Sequence, residues 1–105
     1  MAEWRFLSNH AQVLLCIADD PGIRLRDIAS AVGITERATH RIVDDLVEGG
    51  YLSRERTGRR NHYQVQKHLP LHEPQLRDRK LADLLKVLAS PDGRGRTRQT
   101  APDMR

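Results

Sequence analysis

The spacing of apolar positions changes along the chain, and each change marks an element. Residues 8–19 read as a first helix: Ala11, Leu14, Leu15 and Ala18 form an i, i+3, i+4, i+7 stripe, and Val13, Cys16 and Ile17 add apolar surface beyond it. A helix apolar nearly all round is expected to be buried on most sides. Ser8 or Asn9 can cap it, and Gln12 stands three residues after Asn9, as a capping box requires. Asp20-Pro21-Gly22 then supplies turn chemistry. Residues 26–32 form a second, short helix, with Leu25, Ile28, Ala29 and Val32 on one face. Gly33 sits where a helix ends in a left-handed residue, and Thr35 can cap a third helix over residues 36–48. The stripe of that helix is Thr39, Ile42, Val43 and Leu46, and Gly49-Gly50 ends it.

From Tyr51 the period drops to two. Residues 51–66 read as a hairpin: one strand over 52–56, a turn over 57–61, and a second strand over 62–66. In that second strand Tyr63 and Val65 alternate with His62, Gln64 and Gln66. Leu69-Pro70-Leu71 and Pro74 mark a connection, and a fourth helix follows over residues 75–88 with Leu81, Leu84, Leu85 and Leu88 as its stripe. Residues 90–105, rich in Gly, Pro, Thr and Arg, have almost nothing to bury and read as a disordered tail. The expected plan is a DNA-binding domain over 1–68, a connection and dimerisation helix over 69–89, and a tail over 90–105.

A short helix, a glycine-containing turn and a second helix are the parts of a helix-turn-helix. Ala29 lets two steeply crossed helices approach, Gly33 lets the chain turn, and Ile34 can pin the turn to the core. The hairpin directly behind the second of these helices completes a wing. The predicted fold is α+β: a winged helix-turn-helix with a three-helix core, a two-stranded wing and a C-terminal helix.

Composition sharpens this picture in one place. The 105 residues suit one domain, and the net charge of +4 permits nucleic acid as a partner without demanding it. The distribution is more telling: residues 53–62 carry Arg54, Arg56, Arg59 and Arg60 against Glu55 alone. A single cysteine, Cys16, excludes an intramolecular disulfide and points to a reducing cytoplasm. The longest apolar run, at 13–18, is too short to cross a bilayer, and the N-terminus lacks the order of a signal peptide. No phosphate-binding glycine loop, nucleophile motif or metal cluster supports an enzyme, and no cofactor is expected.

The runs Arg24-Leu25-Arg26-Asp27-Ile28-Ala29, Gly33-Ile34-Thr35-Glu36-Arg37, Gly50-Tyr51-Leu52 and Gly58-Arg59-Arg60-Asn61-His62-Tyr63 resemble the small winged-helix regulators of the MarR/ArsR-like group. The resemblance spans about residues 8–66. It implies a prokaryotic transcription factor, usually dimeric, with the third helix in the major groove. Longer members carry extra helices at both ends for dimerisation; here the first helix and residues 75–88 are available for it.

The third helix itself selects the contacts. With its stripe turned inward, Arg37, Arg41, Asp44 and Glu48 face out, with His40 at their edge. Recognition helices read bases with their first turns, which favours Arg37, His40 and Arg41. Thr35 and the free amides at the helix start suit a phosphate, and Arg59 and Arg60 suit the minor groove or its phosphates. The candidate DNA-binding set is Thr35, Glu36, Arg37, His40 and Arg41 from the helix and Arg54, Arg56, Arg59, Arg60 and Asn61 from the wing.

Blander readings stand beside these. Arg37 and Arg41 can be solvated and paired with Asp44 or Asp45, and Arg59 and Arg60 can be charges that protect a sheet edge. Cys16 reads as a small core residue rather than a redox centre. His68 and His72 have a metal-compatible spacing, but Pro70 interrupts any helix between them. Leu81, Leu84, Leu85 and Leu88 are a dimerisation stripe if they pack between subunits and a core stripe if they pack within one. The functional expectation is a sequence-specific regulator that binds double-stranded DNA as a homodimer. The alternatives are a winged-helix module for protein contacts, and a metal or redox sensor on the same fold.

Overall fold

A computed structural model of the chain describes residues 4–88. The elements are α1 (Asn9–Asp19), α2 (Leu25–Val32), α3 (Glu36–Glu48), β1 (Leu52–Thr57), β2 (Arg60–Val65) and α4 (Leu81–Leu88), with a 3-10 turn at Pro74–Leu76. This is the α+β order expected, three helices followed by a wing and a last helix. The tail anticipated over 90–105 lies outside the described residues.

Local chemistry sets the helix starts. Ser8 caps α1, its Oγ accepting from the Ala11 N–H at 3.1 Å. Gln12 donates to the Leu7 carbonyl at 3.2 Å instead of closing a capping box. The buried edge of α1 is Val13, Leu14 and Ile17, while Ala11, Leu15 and Ala18 are only half-buried. The expected stripe was turned too far to one side, because α2, α3, α4 and β2 all pack against this helix. Thr35 caps α3 by accepting from the Ala38 N–H at 3.0 Å. The stripe of α3 is as expected, with Thr39, Ile42, Val43 and Leu46 buried.

Between α2 and α3 the chain reverses at Gly33, whose φ of +86° lies where glycine alone is comfortable. A Cβ there would meet nothing within 4 Å, so conformation and not space demands the glycine. The Gly33 and Ile34 amides both donate to the Ala29 carbonyl, at 2.8 and 3.0 Å. This pair of hydrogen bonds on one carbonyl closes α2 before the chain turns into α3.

The wing is tighter than the sequence suggested. β1 and β2 pair from Leu52↔Val65 to Thr57↔Arg60, which leaves only Gly58-Arg59 to make the turn. Gly58 has φ +63°, and a positive φ at this place matches the twist of the flanking strands. A backbone hydrogen bond ties the wing to the loop before α2: the Tyr63 N–H donates to the Pro21 carbonyl at 3.1 Å.

The fourth helix is shorter than the span expected over 75–88. Residues before it run back along the connection, with Leu71 N–H donating to Arg79 O at 3.0 Å, Leu81 N–H to Leu69 O at 2.8 Å and Ala82 N–H to Lys67 O at 3.0 Å. These long-range bonds take backbone groups that a longer helix would use, and they override the helix-forming side chains of Gln75, Leu76, Arg77 and Lys80. Asp83 then fixes the start by accepting from the Lys80 N–H at 3.0 Å. Leu81 and Leu85 enter the same core as Val13, Ile17, Ile28, Val43, Leu52 and Tyr63.

Candidate nucleic-acid interface

The capped start of α3 projects from the body, and its outward face lines one open groove with Thr35, Glu36, Arg37, His40, Arg41 and Asp44. Thr35 spends its lone pair on the Ala38 amide and keeps its hydroxyl proton available to donate. Arg37 and Arg41 are exposed, and their side chains make no hydrogen bond or ion pair among the described residues. Their suggested partners are engaged elsewhere. Asp44 accepts from Arg54 at 2.9 Å and lies 3.2 Å from His40 Nδ1. Asp45 shares a 2.8 Å hydrogen bond with His10 Nε2 on α1.

Asp44 therefore ties the wing to α3 instead of pairing with Arg37 or Arg41. The same contact changes the picture of two candidates. Arg54 is held against the helix, and His40 has a carboxylate beside it, whereas Arg37 and Arg41 are free to reach outward. On the wing, Arg56 Nε donates weakly to the Gly58 carbonyl at 3.4 Å. Arg59 is exposed without a partner among the described residues, and Asn61 is half-buried. The Arg60 side chain lies outside the described residues.

A second cleft, about 490 Å³ in volume, adjoins the first between the start of α2 and the wing. Arg24, Arg26, Glu36, Arg59, Asn61 and Tyr63 line it. Sequence reasoning gave Arg24 and Arg26 no role. Nothing near them in sequence could have supplied one, because it is the bond between Tyr63 and Pro21 that brings the wing beside them.

The other chemical candidates are placed as follows. Cys16 is half-buried, and burial first, then the charge of Asp19, raises its thiol pKa, the reverse of an activated thiol. His68 is exposed, and His72 stacks on Tyr51 with ring centres 4.8 Å apart. Among the described residues no group of three or more His, Cys, Asp or Glu side chains could hold a metal ion. No helix of the described residues is long and apolar enough to cross a membrane.

Of the four leucines proposed to join subunits, Leu81 and Leu85 are 2% and 5% exposed inside the subunit's own core. Leu84 is half-buried and Leu88 exposed. Beside them Val87 is 79% and Phe6 91% exposed, and Trp4 packs edge-on against Phe6 with ring centres 4.9 Å apart.

A helix-turn-helix whose second helix is followed at once by a basic-tipped hairpin defines a winged helix-turn-helix protein. Residues 6–60 match the sequence profile of the MarR family, and the chain, matched over just more than half its length, belongs to that family. Among solved structures it is similar to the zinc-dependent MarR family transcriptional regulator AdcR in the Zn(II)-bound state, at 19% identity and a TM-score of 0.46. That match covers 63% of this chain and 47% of the other, so the chain spans about half the length of the regulator it resembles. No curated protein matches.

Proposed function

We propose that the chain is a sequence-specific regulator of transcription that binds double-stranded DNA, without catalytic activity, in the cytoplasm. The observation that carries this reading is the state of Arg37 and Arg41. The side chains of both leave the outward face of α3 with no partner among the described residues, while two of that helix's four carboxylates, Asp44 and Asp45, are engaged by His10, His40 and Arg54. Unpaired guanidiniums on the first turns of a recognition helix suit the O6 and N7 acceptors of guanine in the major groove. Thr35 and the amides at the start of α3 suit a phosphate, and the wing arginines suit the neighbouring backbone.

The reading includes a second copy of the chain. One winged helix touches too few base pairs to select a genomic site, and a twofold pair doubles the site. The surface that fits is a cleft lined by Phe6, Leu7, Leu71, Leu76 and Leu84, which shares no lining residue with the groove on α3. Exposed Val87 and Leu88 extend its apolar character.

Fluorescence anisotropy with labelled duplex DNA tests the reading. The wild-type chain is expected to bind duplex with an affinity that falls as salt rises, and the Arg37→Ala/Arg41→Ala double variant to lose most discrimination between sequences. Equal discrimination by the double variant contradicts the proposal.

A further inference from the structure

We propose that the cleft between the start of α2 and the wing grips the DNA backbone, so that Arg24 and Arg26 bind phosphate groups from an element outside the recognition helix. The inference rests on the DNA-binding reading and extends its contact surface to α2. Three arginines, Arg24, Arg26 and Arg59, line this cleft, with Glu36 as the acidic residue among its lining. All three arginines are exposed, and none of their side chains has a hydrogen bond or ion pair among the described residues. Like charges gathered in this way repel one another until an anion sits between them. A phosphate oxygen pair matches the guanidinium fork.

The arginines spring from fixed backbone. The Arg24 carbonyl accepts from the Asp27 and Ile28 amides, both at 3.0 Å, and Tyr63 is buried and bonded to Pro21, which holds the wing across from α2. Glu36 and Leu25 line both this cleft and the groove on α3. A duplex seated on α3 therefore continues over Arg24 and Arg26. The same cleft is a poor place for a free small molecule. Such sites enclose most of their ligand in a largely apolar wall, and this one is open and set with charges.

The test measures duplex affinity against sodium chloride concentration for the wild type, Arg24→Ala, Arg26→Ala and Arg26→Lys, using one preferred and one scrambled duplex. Circular dichroism confirms that each variant is folded. Each alanine variant is expected to lower the slope of log affinity against log salt by about one, and to weaken both duplexes by the same factor. Arg26→Lys, which keeps the charge, is expected to retain the wild-type slope. An unchanged slope in both alanine variants overturns the inference and leaves the DNA-binding reading intact. A loss confined to the preferred duplex also overturns it, because that pattern means base reading. Titration of the DNA-free protein with inorganic phosphate at constant ionic strength covers the remaining source. Binding that depends on Arg26 while the DNA slope stays unmoved assigns the cleft to a free anion and overturns the backbone assignment. A wild-type chain that binds no duplex breaks the underlying reading as well.

Discussion

The two open faces of the molecule use opposite chemistry. Around α3 and the wing the exposed side chains include cations with no partner among the described residues, Arg37, Arg41 and Arg59, joined at the start of α2 by Arg24 and Arg26. Around the N-terminal segment and α4 they are apolar, with Phe6, Val87 and Leu88 in solvent. Exposed charge needs no explanation by itself, but arginines left unpaired next to engaged aspartates are suited to an external anion. An apolar group at high exposure contributes nothing until something covers it, at roughly 25 cal/mol per Å² of area removed from water. In the proposed function the first face steers and attracts DNA and the second meets a copy of itself.

The largest expected effect lies within α4, which supplies both core side chains and exposed apolar ones. Leu85 points into the core, so Leu85→Ala is expected to cost about 2–5 kcal/mol in chemical denaturation. Val87, on the same helix, faces solvent. Val87→Asp is expected to change stability by no more than about 0.5 kcal/mol. In light scattering it is expected to convert a dimer to a monomer. A Val87→Asp variant that stays dimeric removes the apolar face from the assembly.

On the charged face, Arg37→Ala is expected to cost about 1–3 kcal/mol of binding to a preferred duplex and to relax the choice of base at one position. An unaltered base preference breaks the reading of Arg37 as a base contact.

Much of this was legible in the sequence, for reasons that differ by region. The stripe of Thr39, Ile42, Val43 and Leu46 and the glycine at position 33 are local signals, set by helical period and by the sterics of a positive φ. Both appear as expected. What was missed depends on contacts distant in sequence. The connection after the wing pairs Leu71 with Arg79 and Leu81 with Leu69, which cuts the predicted helix short. Asp44 was legible only as an outward-facing possible partner for Arg37 or Arg41, and it pairs instead with Arg54 from a strand ten residues on. The role proposed for Arg24 and Arg26 depends on a single bond from β2 to the loop before α2.

Smaller effects sharpen the charged face further. Thr35→Ala removes the cap of α3 and is expected to lower stability by about 1 kcal/mol, within a range of about 0.5–2 kcal/mol. Thermal unfolding measures it, and Thr35→Ser is expected to recover most of the loss. Smaller still, Arg54→Ala breaks a pair whose side chains are 35% and 50% exposed. Its expected cost is about 0.2–1 kcal/mol of stability. Because Asp44 holds Arg54, the salt slope of DNA binding is expected to stay unchanged in Arg54→Ala and to fall by about one in Arg59→Ala. A fall in both means that Arg54 leaves Asp44 for a phosphate.

The central claim, that α3 reads bases while a second copy reads the symmetric half-site, is tested most directly by selecting bound sequences from a pool of random duplex DNA. The account predicts an enriched inverted repeat whose half-sites lie about one helical turn apart, each with a guanine that loses its enrichment in Arg37→Ala. A pool that enriches no sequence above its starting frequencies, while the protein remains folded, would contradict it.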